Sequence, residues 1–433
     1  MTQNNFFEHA PPHWTRTRLK FLVRENPTPE QNKALEEAEE ASFLPMEAIG
    51  EDGSLDLSDT RAIDDIASRY TQFFEGDVLL AKITPCFENG KSAIARGLAD
   101  GVGFGTTELF VLRPREEVLP EYLYYLIRTP DFRQRGEAAM TGAAGQKRVP
   151  TEFVQNYQVA VPPVEEQRKI LESLSHKFDQ LGRLVRAKRE LVNWLNEKRK
   201  SLIAQAVTRG LSEVPMQPSG YPWLGEIPEH WEPMHLKRAL EQTDYGTSES
   251  TNSEGDIAVL GMGDIGEGDI FYDDLSYLDE DEVEDELLLQ PGDLLFNRTN
   301  SLERIAKVAL FRGHDNCPVS FASYLVRLRC KEWMDPEYLN YLLNSPEVLA
   351  WARGNAIPAI GQANLSPRRY GYLPIAVPPL EEQKEIVDFI DDETSEIERV
   401  RKGTEQTIDL LEERRRSLVT AAVTGELDLG IPA

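Results

Sequence analysis

Tyr157–Ile170 reads YQVAVPPVEEQRKI, and 216 residues later Leu373–Ile386 reads LPIAVPPLEEQKEI. A match this long at a fixed offset is an internal repeat, which settles architecture before any single residue is interpreted. Working outward, PEYLYYL (Pro120–Leu126) returns as PEYLNYL (Pro336–Leu342), and EGDVLL (Glu75–Leu80) as PGDLLF (Pro291–Phe296), both at a spacing of 216. Towards the start of each half, PPHW at Pro11–Trp14 recurs as PEHW at Pro228–Trp231, and the pair Leu19-Lys20 as Leu236-Lys237, now 217 apart. RKSLIAQAVT (Arg199–Thr208) matches RRSLVTAAVT (Arg415–Thr424). The chain is a tandem duplication.

Each half has the same grammar. Runs such as DVLLAKI, LFVLRP and YQVAV, bounded by Gly, Pro and Asp, read as strands, and PEYLYYLIRTPDFRQRG between them reads as helix. The mixture predicts an α+β domain in each copy. After the paired prolines the pattern changes. Pro163 and Pro379 suit a first helical position, and the acidic residues behind them favour the positive end of a helix. Alternating steps of three and four from Leu171 give Leu174, Phe178, Leu181, Val185, Lys188, Val192, Leu195, Arg199, Leu202 and Ala206. The second copy gives Val387, Ile390, Thr394, Ile397, Arg401, Thr404, Ile408, Leu411, Arg415, Leu418 and Ala422. This is the seam of a coiled coil, weaker in the middle of the second copy. A straight helix over 163–207 would run roughly 68 Å, far longer than a globular domain of this size needs. Two such rods, 163–207 and 379–423, are expected to pack antiparallel as a spacer. RGLSEVPMQPSGYPWLGEIP (Arg209–Pro228) is rich in Gly, Pro and Ser and reads as a linker, pinned by Trp223 and Leu224.

Composition bounds the function. The 433 residues exceed one ordinary core, and 40% hydrophobic content supports folded domains. No apolar run approaches the roughly 18 residues of a membrane span, and MTQNNFFEHA lacks the basic start and apolar stretch of a secretion signal. A cytoplasmic protein without a membrane role is expected. Cys86, Cys317 and Cys330 form no C-x-x-C pair, which supports neither a disulfide framework nor a zinc cluster. The net charge of -27 opposes nucleic acid as a partner, because Lys and Arg supply most non-specific affinity. The acid is unevenly placed, however. Residues 161–220 carry 11 basic and 7 acidic side chains, whereas 221–376 carry 12 and 27, many of them in YDDLSYLDEDEVEDELL (272–288), a solvated face.

Two motifs are decoys. Gly261, Gly263 and Gly266 form a G-x-G-x-x-G, but EGDIFYDDLSY after it lacks helical periodicity, and the aligned first-half segment has Pro45 and Glu47 in place of the first two glycines. Asp77, Glu88 and Lys91 hint at a nuclease, yet E-N-G-K has the wrong spacing for an E-x-K metal site and Asp293 lacks any such follow-up. Both aspartates read as turn residues where a strand begins. Trp14 and Trp231 read as anchors of a core or domain-helix junction, and His13 and His230 as capping or turn residues.

This ordered recurrence resembles the specificity subunits of type I restriction-modification systems; LGEIPEHW (Leu224–Trp231) and the two A-V-P-P-[VL]-E-E-Q segments carry the resemblance. It implies two target-recognition domains (1–160 and 228–376), a long helix at 161–208, a linker at 209–227, and a second long helix with a tail at 377–433. The helices would form an antiparallel intramolecular coiled coil with pseudo-twofold symmetry. It further implies a double-stranded DNA target split into two halves, two methyltransferase subunits docked on this chain, and a restriction-translocation subunit as an optional further partner. The chain itself would be non-catalytic and bind no cofactor or metal, S-adenosylmethionine belonging to the methyltransferase partner. Candidate DNA contacts lie after the GD strand and in the glycine-bearing loops. Asn297, Arg298, Thr299 and Asn300 are suited to base readout, with Lys82 the first-half counterpart of Arg298. Gln146, Lys147 and Arg148, with Gln362, Arg368 and Arg369, suit phosphate positioning. A non-catalytic coiled-coil scaffold and a nuclease are the competing classes. Divergent globular halves on matching ends favour readers over scaffold.

Overall fold

A computed structural model describes residues 10–27, 35, 38–66, 69–143, 145–359 and 361–427. The readings of residues 1–9 and of the tail beyond 427 lie outside them. Among the described residues, the helices of eight residues or more are α1 (Pro120–Ile127), α2 (Pro130–Ala139), α3 (Val164–Arg209), α4 (Pro336–Leu343), α5 (Pro346–Asn355) and α6 (Leu380–Thr424). The chain forms two compact units: residues 1–188 join 406–433 in the first, and the consecutive stretch 189–405 forms the second.

In the first unit, β1 (Thr15–Arg18) pairs β12 (Gln158–Val161), closing the globular part just before α3. Two sheets lie between. One has the order β2-β9-β6-β7 (Val23–Glu25, Leu109–Pro114, Val78–Ala81, Ser92–Ile94), all antiparallel. The other has the order β4-β3-β8-β5 (Thr60–Ala62, Glu40–Leu44, Val102–Gly105, Thr71–Phe74), with β3 and β8 parallel. The VLLA run of β6 is apolar at every position because both faces are covered. Val78 and Leu80 enter the core shared with α1 and α2, whereas Leu79 and Ala81 enter the core shared with Leu44 and Phe73 of the second sheet. A hairpin, β10 (Thr141–Ala143) and β11 (Gln146–Arg148), completes the unit.

The second unit repeats this plan. β15 (Glu232–His235) pairs β26 (Pro374–Val377). The main sheet is β16-β23-β19-β21 (Leu240–Tyr245, Leu325–Cys330, Leu294–Asn297, Val308–Leu310), and β18-β17-β22 (Ser276–Leu278, Ile257–Leu260, Val319–Phe321) is the counterpart of the first unit's mixed sheet. The hairpin β24 (Ile357–Ala359) and β25 (Gln362–Asn364) gains a third strand, β20 (Thr299–Asn300). The acids from Asp279 to Glu286 are exposed, while Val283 among them and Leu278 just before them are buried. The stretch after β17 makes a turn in which Gly261 N–H donates to Asp264 at 2.7 Å, and no helix follows it. In the segment read as a linker, β13 (Met216–Pro218) pairs β14 (Glu226–Pro228), and Trp223 and Leu224 pack against the core of this unit, the pinning expected of them.

The long helices begin and end within two residues of the expected rods. In the first unit Ile170 and Leu174, from the start of α3, share one core with Ala422 and Val423 from the end of α6. In the second, Ile203, Ala206 and Val207 at the end of α3 share a core with Ile386 and Ile390 at the start of α6. Every seam position but one is buried or half-buried, the exception being Arg415. Two tyrosines tie the helix ends down: Tyr122 of α1 donates to the Val423 carbonyl at 3.2 Å, and Tyr338 of α4 to the Val207 carbonyl at 3.0 Å. Burial pushes both phenols well above their ordinary range, so they stay protonated donors. No described helix is long and apolar enough to cross a membrane.

Candidate nucleic-acid interface

The hairpins and the ends of the GD strands meet in each unit. In the first, Lys82 follows β6; its N–H donates to the Glu108 carbonyl at 3.0 Å, and its own carbonyl accepts from Val149 N–H at 2.8 Å. In the second, Arg298 follows β19; its N–H donates to the Tyr324 carbonyl at 3.1 Å, and its carbonyl accepts from Leu365 N–H at 2.9 Å. The partners match at the 216-residue offset, so one backbone frame is built twice. Gly145 and Gly361 make this possible, with φ of +81° and +73° in the hairpin turns, a conformation that side chains disfavour.

The side chains on the frame differ. In the first unit Gln146, Lys147 and Arg148 are exposed, and Lys82 sits half-buried with its ammonium 5.4 Å from the Phe110 ring. Thr84 Oγ1 accepts from Lys147 N–H at 2.8 Å. Arg148 donates through Nε and Nη2 to both carboxylate oxygens of Glu108, each at 2.8 Å. That bond holds the Glu108 carboxyl below its usual range. In the second unit Gln362 is exposed, and Asn364, at the position of Arg148, accepts from Thr299 Oγ1 at 2.6 Å. The Arg298 guanidinium lies 5.2 Å from the Tyr245 ring and donates through Nη1 to the Ser323 carbonyl at 3.2 Å. Tyr245 and Tyr324 beside it are 52% and 48% exposed, the polar-tipped aromatic chemistry of recognition surfaces.

The structure therefore gathers Lys82, Gln146, Lys147 and Arg148 in one unit, and Arg298, Asn300 and Gln362 in the other. Asn297 and Thr299 face inward, at 1% and 6% exposure, and Asn297 Nδ2 donates to the Met262 carbonyl at 3.2 Å. Arg368 and Arg369 are exposed on the turn after the hairpin. Arg369 donates to the Asn355 carbonyl at 2.8 Å, and Arg368 lies by Tyr372, whose phenol Lys237 and then Arg368 draw below its ordinary value. Sequence reading missed Glu108, Tyr245 and Tyr324. A signal existed for two of them: Glu108 and Tyr324 each directly precede an aligned strand, LFVLRP or LVRLRC, and differ where the neighbours agree.

Other polar clusters are taken up by structure. Asp77 accepts both arms of Arg113 at 2.9 Å, and Asp293 both arms of Arg329 at 2.7 Å, each carboxylate also capping a backbone N–H three residues earlier. Both are ion-paired turn residues. Burial pushes the Cys330 thiol up to about 12, leaving it inert as a nucleophile.

A duplicated α+β unit that presents a divergent polar face on a repeated frame, with a long helix in each copy, defines a two-domain recognition chain. The family model described as Type I restriction modification DNA specificity domain matches residues 18–193 and again 228–408, and the chain belongs to that family. The specificity subunits of type I restriction enzymes EcoAI and EcoEI, both from Escherichia coli, are 42% identical over 164 and 168 residues, which is 37% and 38% of this chain. These matches span only 27% and 28% of those two relatives. The MjaVIII specificity subunit of Methanocaldococcus jannaschii is 25% identical over 331 residues, covering 75% of this chain and 74% of the relative. Among solved structures, a chain from a study of complex assembly and conformational transition of the type I R-M system shares the fold with a TM-score of 0.73, at 19% identity over 96% of this chain and 99% of that one. The HsdS subunit from Thermoanaerobacter tengcongensis shares it with a TM-score of 0.57, also at 19% identity, over 96% and 98%.

Proposed function

We propose that this chain is the DNA-reading subunit of a type I restriction-modification complex. The globular parts of the halves, 1–160 and 228–376, each contact one half of a split double-stranded target. α3 and α6 pair antiparallel as an intramolecular coiled coil with pseudo-twofold symmetry, so that a protein length sets the gap between half-targets. Two methyltransferase subunits dock on the chain and carry S-adenosylmethionine, a restriction subunit joins where present, and this chain performs no chemistry. The observation that carries the reading is the twice-built frame. Lys82, Thr84, Glu108 and Arg148 occupy the positions that Arg298, Asn300, Tyr324 and Asn364 hold in the other copy. A matching backbone frame that carries different hydrogen-bonding groups is what two readers of different sequences require. The net charge of -27 is compatible with binding because a tethered second reader gains effective concentration once the first is bound.

The test is to reconstitute the chain with its methyltransferase partner and map the adenines that become methylated. A bipartite motif with a constant gap is expected. Methylation without base preference, or at a continuous motif, would remove the reading.

A further inference from the structure

The Glu108–Arg148 pair is an odd device for holding a phosphate. A phosphate contact needs net positive charge, and Glu108 places a carboxylate 2.8 Å from the guanidinium, leaving the pair neutral. Stability does not explain it either. Arg148 is 49% exposed and Glu108 25%, and ion pairs in such surroundings contribute little. What the pair does supply is orientation. Glu108 is itself fixed, its N–H donating to Thr106 Oγ1 at 3.2 Å and its carbonyl accepting from Lys82. With Nε and one hydrogen of Nη2 engaged, the other Nη2 hydrogen and one of Nη1 share one edge of a plane whose orientation the pair fixes. That edge is the bidentate donor which matches the N7 and O6 acceptors of guanine in the major groove. The other unit holds a guanidinium beside the equivalent loop by other means, Arg298 being tethered to the Ser323 carbonyl and flanked by Tyr245.

We infer that Arg148 reads a guanine in one half-target and that Glu108 is the positioning residue that aims it. The inference rests on the proposed DNA-reading function, and it moves Arg148 from backbone contact to base readout.

The test uses the full chain assembled with its methyltransferase partner, selecting from a duplex library randomised across both half-targets. The variants are R148K, which keeps the charge but loses the bidentate fork, E108Q, which keeps the shape but weakens the clamp, and K147A as the neighbouring cation. R148K is expected to lose guanine preference roughly tenfold or more at a single base pair of one half-target. E108Q should lose part of it at the same base pair, and every other position should stay as in the wild type. Unchanged preference in R148K would overturn the inference. So would a loss spread evenly over all sequences, which marks a phosphate contact, or over every position of that half-target, which marks a structural role. If the wild-type assembly itself selects no split motif, the functional reading fails first, so the two failures are told apart.

Discussion

The indole N–H of Trp14 donates to Glu166 Oε1 at 3.0 Å, while His13 meets the other oxygen of the same carboxylate at 2.8 Å. The second copy repeats this with Trp231 and His230 on Glu382, at 3.1 and 2.7 Å. Next along the helix, Gln167 accepts from Leu119 N–H and donates to the carbonyls of Glu117 and Pro162; Gln383 does the same with Asp335, Trp333 and Pro378. The recurring E-E-Q is therefore a joint. Its second glutamate grips the tryptophan at the start of the globular part, and its glutamine grips the loop before α1 or α4.

That joint predicts a graded loss of stability. Glu166→Ala leaves a buried indole N–H without an acceptor and should cost about 1–3 kcal/mol, with Glu382→Ala costing a similar amount in the other copy. Gln167→Ala strands several backbone groups at a fully buried position and should cost at least as much. Glu165→Ala, one residue earlier and 85% exposed on its side chain, should be close to neutral. Chemical unfolding of the full chain measures all of these, and equal effects for Glu165 and Glu166 would remove the joint from the account.

The two buried aspartates should differ in cost. Asp293 is 1% exposed, binds Arg329, and lies 3.9 Å from Arg327, itself 1% exposed. Asp77 pairs with Arg113, which is 21% exposed and has a route to water. Asp293→Ala leaves Arg327 on Asp244 at 2.7 Å but takes a second carboxylate away from that buried guanidinium, and should lose about 1–3 kcal/mol. Asp77→Ala should lose less. Urea midpoints of the two variants decide the order, and the reverse order would contradict the burial argument.

What could be read beforehand follows from which constraints are local. Repetition and a three-four apolar step are visible in the chain itself, which is why both rods, their seam and the strand-rich halves are legible. The frame at Lys82 and Arg298 is half legible, since Gly145-Gln146 and Gly361-Gln362 recur at the same offset. Glu108, by contrast, reaches Arg148 only because β6, β9 and the hairpin converge, 40 residues apart in the chain. Asn297 and Thr299 look available in a polar run after a strand, yet backbone alternation and pairing with β25 turn them inward. The tryptophans read as anchors; the glutamate that each one meets, 152 residues on from Trp14 and 151 from Trp231, did not.

The clamp on Arg148 has a pH signature. The Arg148 hydrogen bond lowers the Glu108 carboxyl from its ordinary 4.5, so the charged form is favoured in the folded chain. A depressed folded value means that the pairing is fully present above the ordinary carboxylate range and is lost only as pH falls through the lower folded value. Carbon-detected NMR of the Glu108 carboxyl should find its midpoint below 4.5. In Arg148→Ala the midpoint should move up towards that value. A wild-type midpoint at or above it would mean that the clamp is not formed in solution.

Two cations on the interface should fail in different ways. Arg298 is tethered at one nitrogen and flanked by Tyr245, so its loss removes a directed donor rather than a diffuse charge. Arg298→Ala should relax preference at one base pair of its half-target, by a factor of roughly five to a hundred. Lys147 is exposed on a hairpin strand whose backbone bonds to Thr84 do not constrain its ammonium. Lys147→Ala should weaken binding alike on all duplexes and lower the dependence of log affinity on log salt by about one unit. Competition titrations at several salt concentrations, with matched and singly mismatched targets, separate the two. Identical losses in both variants on every duplex would show that neither side chain reads sequence, and would return Arg298 to the role of a turn residue after β19.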